Sequence, residues 1–163
     1  MVYDRELRPE VMKYLDDPEA IIILGSRQVG KTTLLRIIME HIKDQKRCFY
    51  LDLEVPGNLD IVMAGPESLI EYLTSLGASF DHRNYVFLDE IHYMENPTRF
   101  IKLAVDHYAD KLKIIGTGSS ALGIKMKFHD AFVGRKLIFS LYPLSFREFL
   151  IFKGKKILAD NLP

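Results

Sequence analysis

The chain has 163 residues, 48% of them apolar and 27% charged, the profile of one ordinary soluble domain rather than a disordered segment. Lys plus Arg equals Asp plus Glu at 22 each, so net charge argues neither for nor against a nucleic-acid partner, although a neutral domain can still carry a basic face. Cys48 is the single cysteine, which excludes an internal disulfide and any multi-cysteine metal site and fits a reducing compartment.

In chain order, the first element expected is a short amphipathic helix. Pro9 suits a first turn, and Leu7, Val11 and Leu15 recur at i, i+4, i+8. Asp16-Asp17-Pro18-Glu19 breaks it ahead of a strand, Ala20–Leu24. Gly25 to Thr32 then fits G-x-x-x-x-G-K-[ST], the phosphate-binding P-loop, in the strand-loop-helix context that the motif requires. At an average Gly usage of about 7%, a chain of this length matches by chance on the order of once in a hundred or more sequences, so a plain glycine turn before a basic helix start is the weaker reading. Gly25 and Gly30 are expected to let the backbone turn with positive φ and approach a ligand closely. The loop amides from Gly25, Ser26, Arg27, Gln28, Val29 and Gly30 through Lys31, Thr32 and Thr33 would face the phosphates, aided by the positive end of the helix. Lys31 would supply a mobile charge for the β- and γ-phosphates, and the Thr32 hydroxyl a ligand for Mg²⁺. ATP and Mg²⁺ are the cofactors this stretch predicts.

A buried helix follows with Leu34, Leu35, Ile37, Ile38 and Met39, then a strand Cys48–Leu51 ending on Asp52. Pro56-Gly57-Asn58 reads as a loop. Pro66 opens a helix to about Leu76. Asn84–Leu88 is the third strand, and Asn96-Pro97-Thr98 begins the next helix. Leu112–Ile115 is the fourth strand, 121–133 is ambiguous, and Lys136–Leu141 is the fifth strand, closed by Pro143. Ser145 and Glu148 fit a capping box for a helix from Phe146 to about Phe152. Strands alternating with helices predict a parallel sheet with helices on both faces. No run reaches the roughly 20 apolar residues that span a bilayer, and Met-Val-Tyr-Asp-Arg-Glu has no signal-peptide core, so the expected setting is cytoplasmic, with no membrane.

Val86-Phe87-Leu88-Asp89-Glu90 is an apolar strand ending in two carboxylates, the Walker B pattern. Ligands sit beyond the carboxyl ends of parallel strands, so Asp89 would lie beside the P-loop and hold Mg²⁺, with Glu90 placed to take a proton from an attacking water. Thr117-Gly118-Ser119-Ser120 ends the next strand, and a hydroxyl there, Ser119 in preference to Thr117 or Ser120, would contact the γ-phosphate or that water. Capping of a following helix by Ser119 or Ser120 is the equal alternative. Arg135 would either reach a neighbouring subunit's nucleotide or form an ion pair at the sheet edge, and the second is favoured because no spacing rule marks an arginine finger. Lys125, Lys127, His129, Arg135 and Lys136 form a modest basic cluster, read as a solvated face before a nucleic-acid contact. The five histidines show no metal-binding spacing.

Taken together, Gly25–Thr33, Val86–His92, Thr117–Ala121 and Gly134-Arg135 through Pro143–Phe149 resemble the AAA+ superfamily. They are most similar to archaeal and bacterial AAA ATPases with a G-x-R-Q-V-G-K-T-T-L loop, a D-E-I-H Walker B and a late P-L-S-F-x-E-F segment. The resemblance covers about 7–152. It implies a P-loop NTPase fold, three-layer α/β/α, with a five-stranded parallel sheet of order 5-1-4-3-2. It also implies a single ATP-binding core over 1–163, with Lys31 on phosphate, Thr32 and Asp89 on Mg²⁺, and Glu90 activating water. ATP hydrolysis would be coupled to remodelling of an unidentified protein or nucleic-acid partner, with assembly of several copies through the core. Members usually continue into a helical lid and a C-terminal domain, so the sequence, whose tail 153–163 would lead to them, reads as an isolated ATPase core. The rivals are a superfamily 2 helicase fragment, which Asp89-Glu90-Ile91-His92 spells but the loop does not, a small-molecule kinase, which lacks a closing lid, and a nucleotide-gated switch with little hydrolysis, against which Glu90 speaks.

Overall fold

The computed structural model describes residues 4–119 and 134–162. The ambiguous stretch 121–133 lies outside them, as do Ser120, Lys125, Lys127 and His129. Among the described residues, a short α1 (Arg8–Met12) precedes β1 (Ala20–Gly25), α2 (Lys31–Ile42) and β2 (Cys48–Asp52). Then come α3 (Pro56–Ala64), α4 (Pro66–Ser75), β3 (Asn84–Asp89), a 3₁₀ turn (Ile91–Tyr93) and α5 (Pro97–Tyr108). β4 (Leu112–Ser119), β5 (Lys136–Leu141), α6 (Phe146–Phe152) and α7 (Lys156–Asp160) complete the order.

The five strands form one parallel sheet in the order β2-β3-β4-β1-β5, the order expected. The inner strand β1 reads as an unbroken apolar run because both faces are covered, and β3 and β4 keep apolar centres, Tyr85–Leu88 and Ile114-Ile115. Every residue of β1 and β3 is buried, whereas β2 and β5, at the edges, are half-exposed. Alternate side chains serve the two faces. Ile21, Ile23, Phe87 and Ile115 meet Val11 of α1 and Leu34, Leu35 and Ile38 of α2. Ile22, Leu24, Val86, Leu88 and Ile114 meet Val62, Leu69, Leu73, Phe100, Ile101 and Ala104 from α3, α4 and α5. The result is three layers, α/β/α. Each fully buried Ile or Leu contributes about 1.5–3 kcal/mol through removal from water.

Three local readings need correction. Pro56-Gly57-Asn58 opens α3 instead of forming a loop. Pro56 occupies the first turn, where its missing N–H costs nothing, the Asn58 amide donates to the Asp52 carbonyl at 2.9 Å, and Val62 anchors the helix in the core. β4 runs on to Ser119, so Thr117-Gly118-Ser119 is strand. The tail 153–163, read above only as leading to a further domain, contains α7, pinned by buried Ala159. Elsewhere the signals hold. Asn96 Oδ1 caps α5 by accepting from the Arg99 N–H at 3.0 Å, and the Ser145–Glu148 capping box is complete in both directions. Among the described residues no helix is long and apolar enough to cross a membrane.

Candidate nucleotide site

The P-loop leaves the carboxyl end of β1 and ends on α2. Gly25 is the last residue of β1 and does not have positive φ, contrary to expectation. It must be glycine for a different reason: a Cβ there would stand 2.6 Å from the Leu141 carbonyl oxygen and 2.8 Å from Val29 Cγ2. The left-handed positions are Gln28 (φ 64°) and Gly30 (φ 94°), on either side of Val29. Such alternation of handedness gathers backbone N–H groups toward an anion. Ser26, Arg27 and Gln28 are exposed, Val29, Gly30 and Thr32 half-buried, and Thr33 exposed. Lys31 opens α2 nearly buried, and its one hydrogen bond among the described residues runs from Nζ back to the Ser26 carbonyl at 3.1 Å. The ammonium thus lies folded over the loop with donors to spare.

Strand alternation decides which groups lie on the face that α2 covers. Tyr50, Asp89 and Thr117 share the sheet face that α2 covers, since each falls in step with Phe87 and Ile115. Asp89 is 2% exposed and accepts from two hydroxyls. Tyr50 donates to Oδ2 at 2.9 Å, and Thr117 donates to Oδ1. Thr117 Oγ1 in turn accepts the Glu90 N–H at 3.1 Å. Burial pushes the Tyr50 phenol up to about 12, so it remains a donor at neutral pH. Among the described residues both hydrogen-bond partners of the carboxylate are neutral hydroxyls, with the Arg36 guanidinium 5.3 Å from the Tyr50 ring centroid, and each carboxylate oxygen keeps acceptor capacity for a hydrated cation. Thr32 stands on the first turn of α2, the helix that covers this face, half-buried. The donor set, a carboxylate and a hydroxyl beside a phosphate-shaped loop, fits Mg²⁺, a hard cation that keeps oxygen ligands and water.

Glu90 takes a left-handed conformation (φ 58°, ψ 47°), unusual for a residue with a Cβ, as it starts the 3₁₀ turn. Its Oε2 lies 2.9 Å from His92 Nδ1, within ion-pair range for a protonated imidazole, although the two atoms are not aligned as a hydrogen bond. The His92 ring stacks on Tyr93 at 4.7 Å. Ser119 is the register partner of Gly25, so it stands beside the start of the P-loop, two residues beyond Thr117 and on the same face. Arg135 is elsewhere. Its carbonyl accepts from Ala20 N–H, which places it at the amino end of the sheet, and its Nε is ion-paired with Asp106 of α5. Six residues of β1 at roughly 3.3 Å each separate that end from the loop.

Sequence reasoning missed Tyr50; it placed Thr117 to Ser120 beside Walker B, but not the bond from Thr117 to Asp89. Both follow from alternation once the register is known, and no local pattern supplies the register.

A family model described as "AAA domain" matches residues 17–150. The chain belongs to the AAA domain family. This AAA domain is 31% identical over 162 residues to uncharacterized protein MJ1637 of Methanocaldococcus jannaschii, covering 96% of this chain and 33% of that protein. The chain therefore spans about a third of that relative's length. Among solved structures, the fold is similar to C. elegans PCH-2, with a TM-score of 0.57, 16% identity, and coverage of 98% of this chain and 49% of that one. It is also similar to AMPPCP-bound DnaA from Aquifex aeolicus, with a TM-score of 0.53, 17% identity, and coverage of 97% and 51%. These likenesses establish an AAA+ fold for the AAA domain.

Proposed function

We propose that this AAA domain binds ATP with Mg²⁺ and hydrolyses it. The observation that carries the reading is the meeting of the P-loop, Lys31, Asp89, Thr117 and Ser119 at the carboxyl end of three neighbouring strands. The fold-level likeness to a DnaA that holds AMPPCP is in keeping with a triphosphate at this loop. Loop amides from Gly25 to Thr33 and the Lys31 ammonium would bind the phosphates. Thr32 and Asp89 would hold Mg²⁺, which would neutralise charge on the phosphates. Glu90 would take a proton from the attacking water, and the Ser119 hydroxyl would orient that water or the γ-phosphate. The Tyr50 and Thr117 hydroxyls hold the Asp89 carboxylate in place. Arg135, ion-paired with Asp106 at the amino end of the sheet, would have the structural role favoured above, with a contact to a neighbouring copy's nucleotide as the alternative. The energy would serve a partner, protein or nucleic acid, in the cytoplasm, a task that rests on fold-level analogy.

Phosphate release by wild type and Glu90→Gln tests the chemistry. The variant keeps ATP affinity and loses turnover by about 100-fold or more, the usual weight of a general base. Unchanged turnover would assign the base elsewhere. In the same assay, Arg135→Ala regains activity on mixing with Lys31→Ala if the arginine acts between copies, and not otherwise.

A further inference from the structure

Arg5 precedes α1, outside every motif, yet it is 8% exposed. Its guanidinium joins three distant segments. Nε donates to Glu148 Oε1 at 2.9 Å, Nη1 to the Val29 carbonyl at 2.8 Å, and Nη2 to the Tyr142 carbonyl at 2.7 Å. A planar fork of fixed donors suits such a junction, where a lysine would satisfy fewer acceptors. Glu148 is equally committed. Its Oε1 also accepts the Glu6 N–H at 2.9 Å, and its Oε2 the Ser145 N–H at 2.8 Å. Burial pushes its carboxyl up, but Arg5 and the two amides outweigh that and hold it below the ordinary glutamate value.

The bond to Val29 bears on the loop. In a planar trans peptide the C=O and the following N–H point in opposite directions. With the Val29 carbonyl turned outward onto Arg5, the Gly30 N–H of the same peptide faces the inside of the loop. Gly30, at φ 94°, has no side chain to hold that peptide against rotation.

We propose that Arg5, braced by Glu148, is a positioning residue for the nucleotide: it fixes the Val29–Gly30 peptide so that the Gly30 N–H is presented to phosphate. This deepens the ATP-binding reading and rests on it. It also gives the late Pro143–Phe149 segment a task, because that segment carries Glu148 and follows directly on the Tyr142 carbonyl.

The test uses the whole chain as wild type, Arg5→Ala, Arg5→Lys and Arg83→Ala. Arg83→Ala is the stability control, because Arg83 bonds the Asp16 and Asp17 carbonyls at the other end of the sheet. Mg²⁺·ATP affinity is measured by calorimetry well below each melting temperature, and the Gly30 amide resonance is followed with and without ATP. Arg5→Ala is expected to weaken ATP binding about tenfold or more and to abolish the ATP-induced shift of the Gly30 amide. Arg5→Lys should fall between, and Arg83→Ala should melt earlier while keeping both affinity and shift. Wild-type affinity and Gly30 shift in Arg5→Ala would overturn the inference and leave ATP binding standing. Absence of ATP binding by wild type would overturn both. Should Arg5→Ala fail to fold, Arg5→Met carries the test: it keeps the apolar stem and removes all three donors, and unchanged affinity and shift in it would equally overturn the inference.

Discussion

The two ends of the sheet each bury a lysine, and the contrast separates structure from function. At the amino end Lys113, fully buried, spends its three donors on the carbonyls of Tyr14, Asp17 and Glu19 at 2.7, 2.8 and 2.6 Å. Around it Arg83 bonds the Asp16 and Asp17 carbonyls, and Tyr85 and Lys46 donate to Asp16 Oδ1. At the carboxyl end Lys31 makes one bond among the described residues, at 3.1 Å, above a loop with left-handed residues at Gln28 and Gly30. Lys113 is saturated and closes the α1–β1 connection onto the sheet. Lys31, among the described residues, keeps donors to spare at the end of the sheet that also carries Asp89. Burial of a charge is costly unless its partners are complete, so the lysine with donors to spare among the described residues supports the proposed phosphate site.

The largest effect that would break this contrast lies at the amino end. Lys113→Met removes the donor from three carbonyls and should cost about 2–4 kcal/mol of unfolding free energy, with ATP affinity unchanged. Burial brings the ammonium down to about 8, so it is still mostly protonated and a three-fold donor at pH 7. Denaturant unfolding with an ATP titration checks both halves. A loss of ATP affinity at constant stability would erase the distinction.

A smaller effect sharpens it at the other end. The folded Glu148 carboxyl titrates below its ordinary value of 4.5 because Arg5 and two backbone amides outweigh burial. The stability it contributes is therefore complete above pH 4.5 and is lost as pH falls further through the folded value. Glu148→Gln should be about 1–2 kcal/mol less stable than wild type at pH 7, and the gap should close in acid. Unfolding midpoints across the acid range measure it.

Much of this site was legible in the sequence because its parts are local. Gly25 to Thr32 needs only spacing, and Val86–Glu90 only an apolar run that ends in acids. The sheet order followed from the family resemblance. The remainder is non-local. Arg5 and Glu148 are separated by 143 positions, and nothing near Arg5 marks it. Tyr50 meets Asp89 through strand pairing, which alternation alone cannot register. Pro56-Gly57 are breakers by composition, yet Pro56 is a helix starter by position, and the packing of Val62 settled the matter. Gly25 was correctly identified as obligatory for a reason, positive φ, that the backbone does not bear out. Close approach to Leu141 is the constraint.

The central claim is that the loose lysine, not the saturated one, belongs to a ligand. Calorimetric titration of Mg²⁺·ATP into wild type and Lys31→Ala tests it most directly. The account predicts binding by wild type, an affinity loss of about 100-fold in Lys31→Ala as charge-assisted bonds to phosphate disappear, and an unliganded melting temperature close to wild type. Equal affinity in the two proteins, or no binding by wild type, would contradict it.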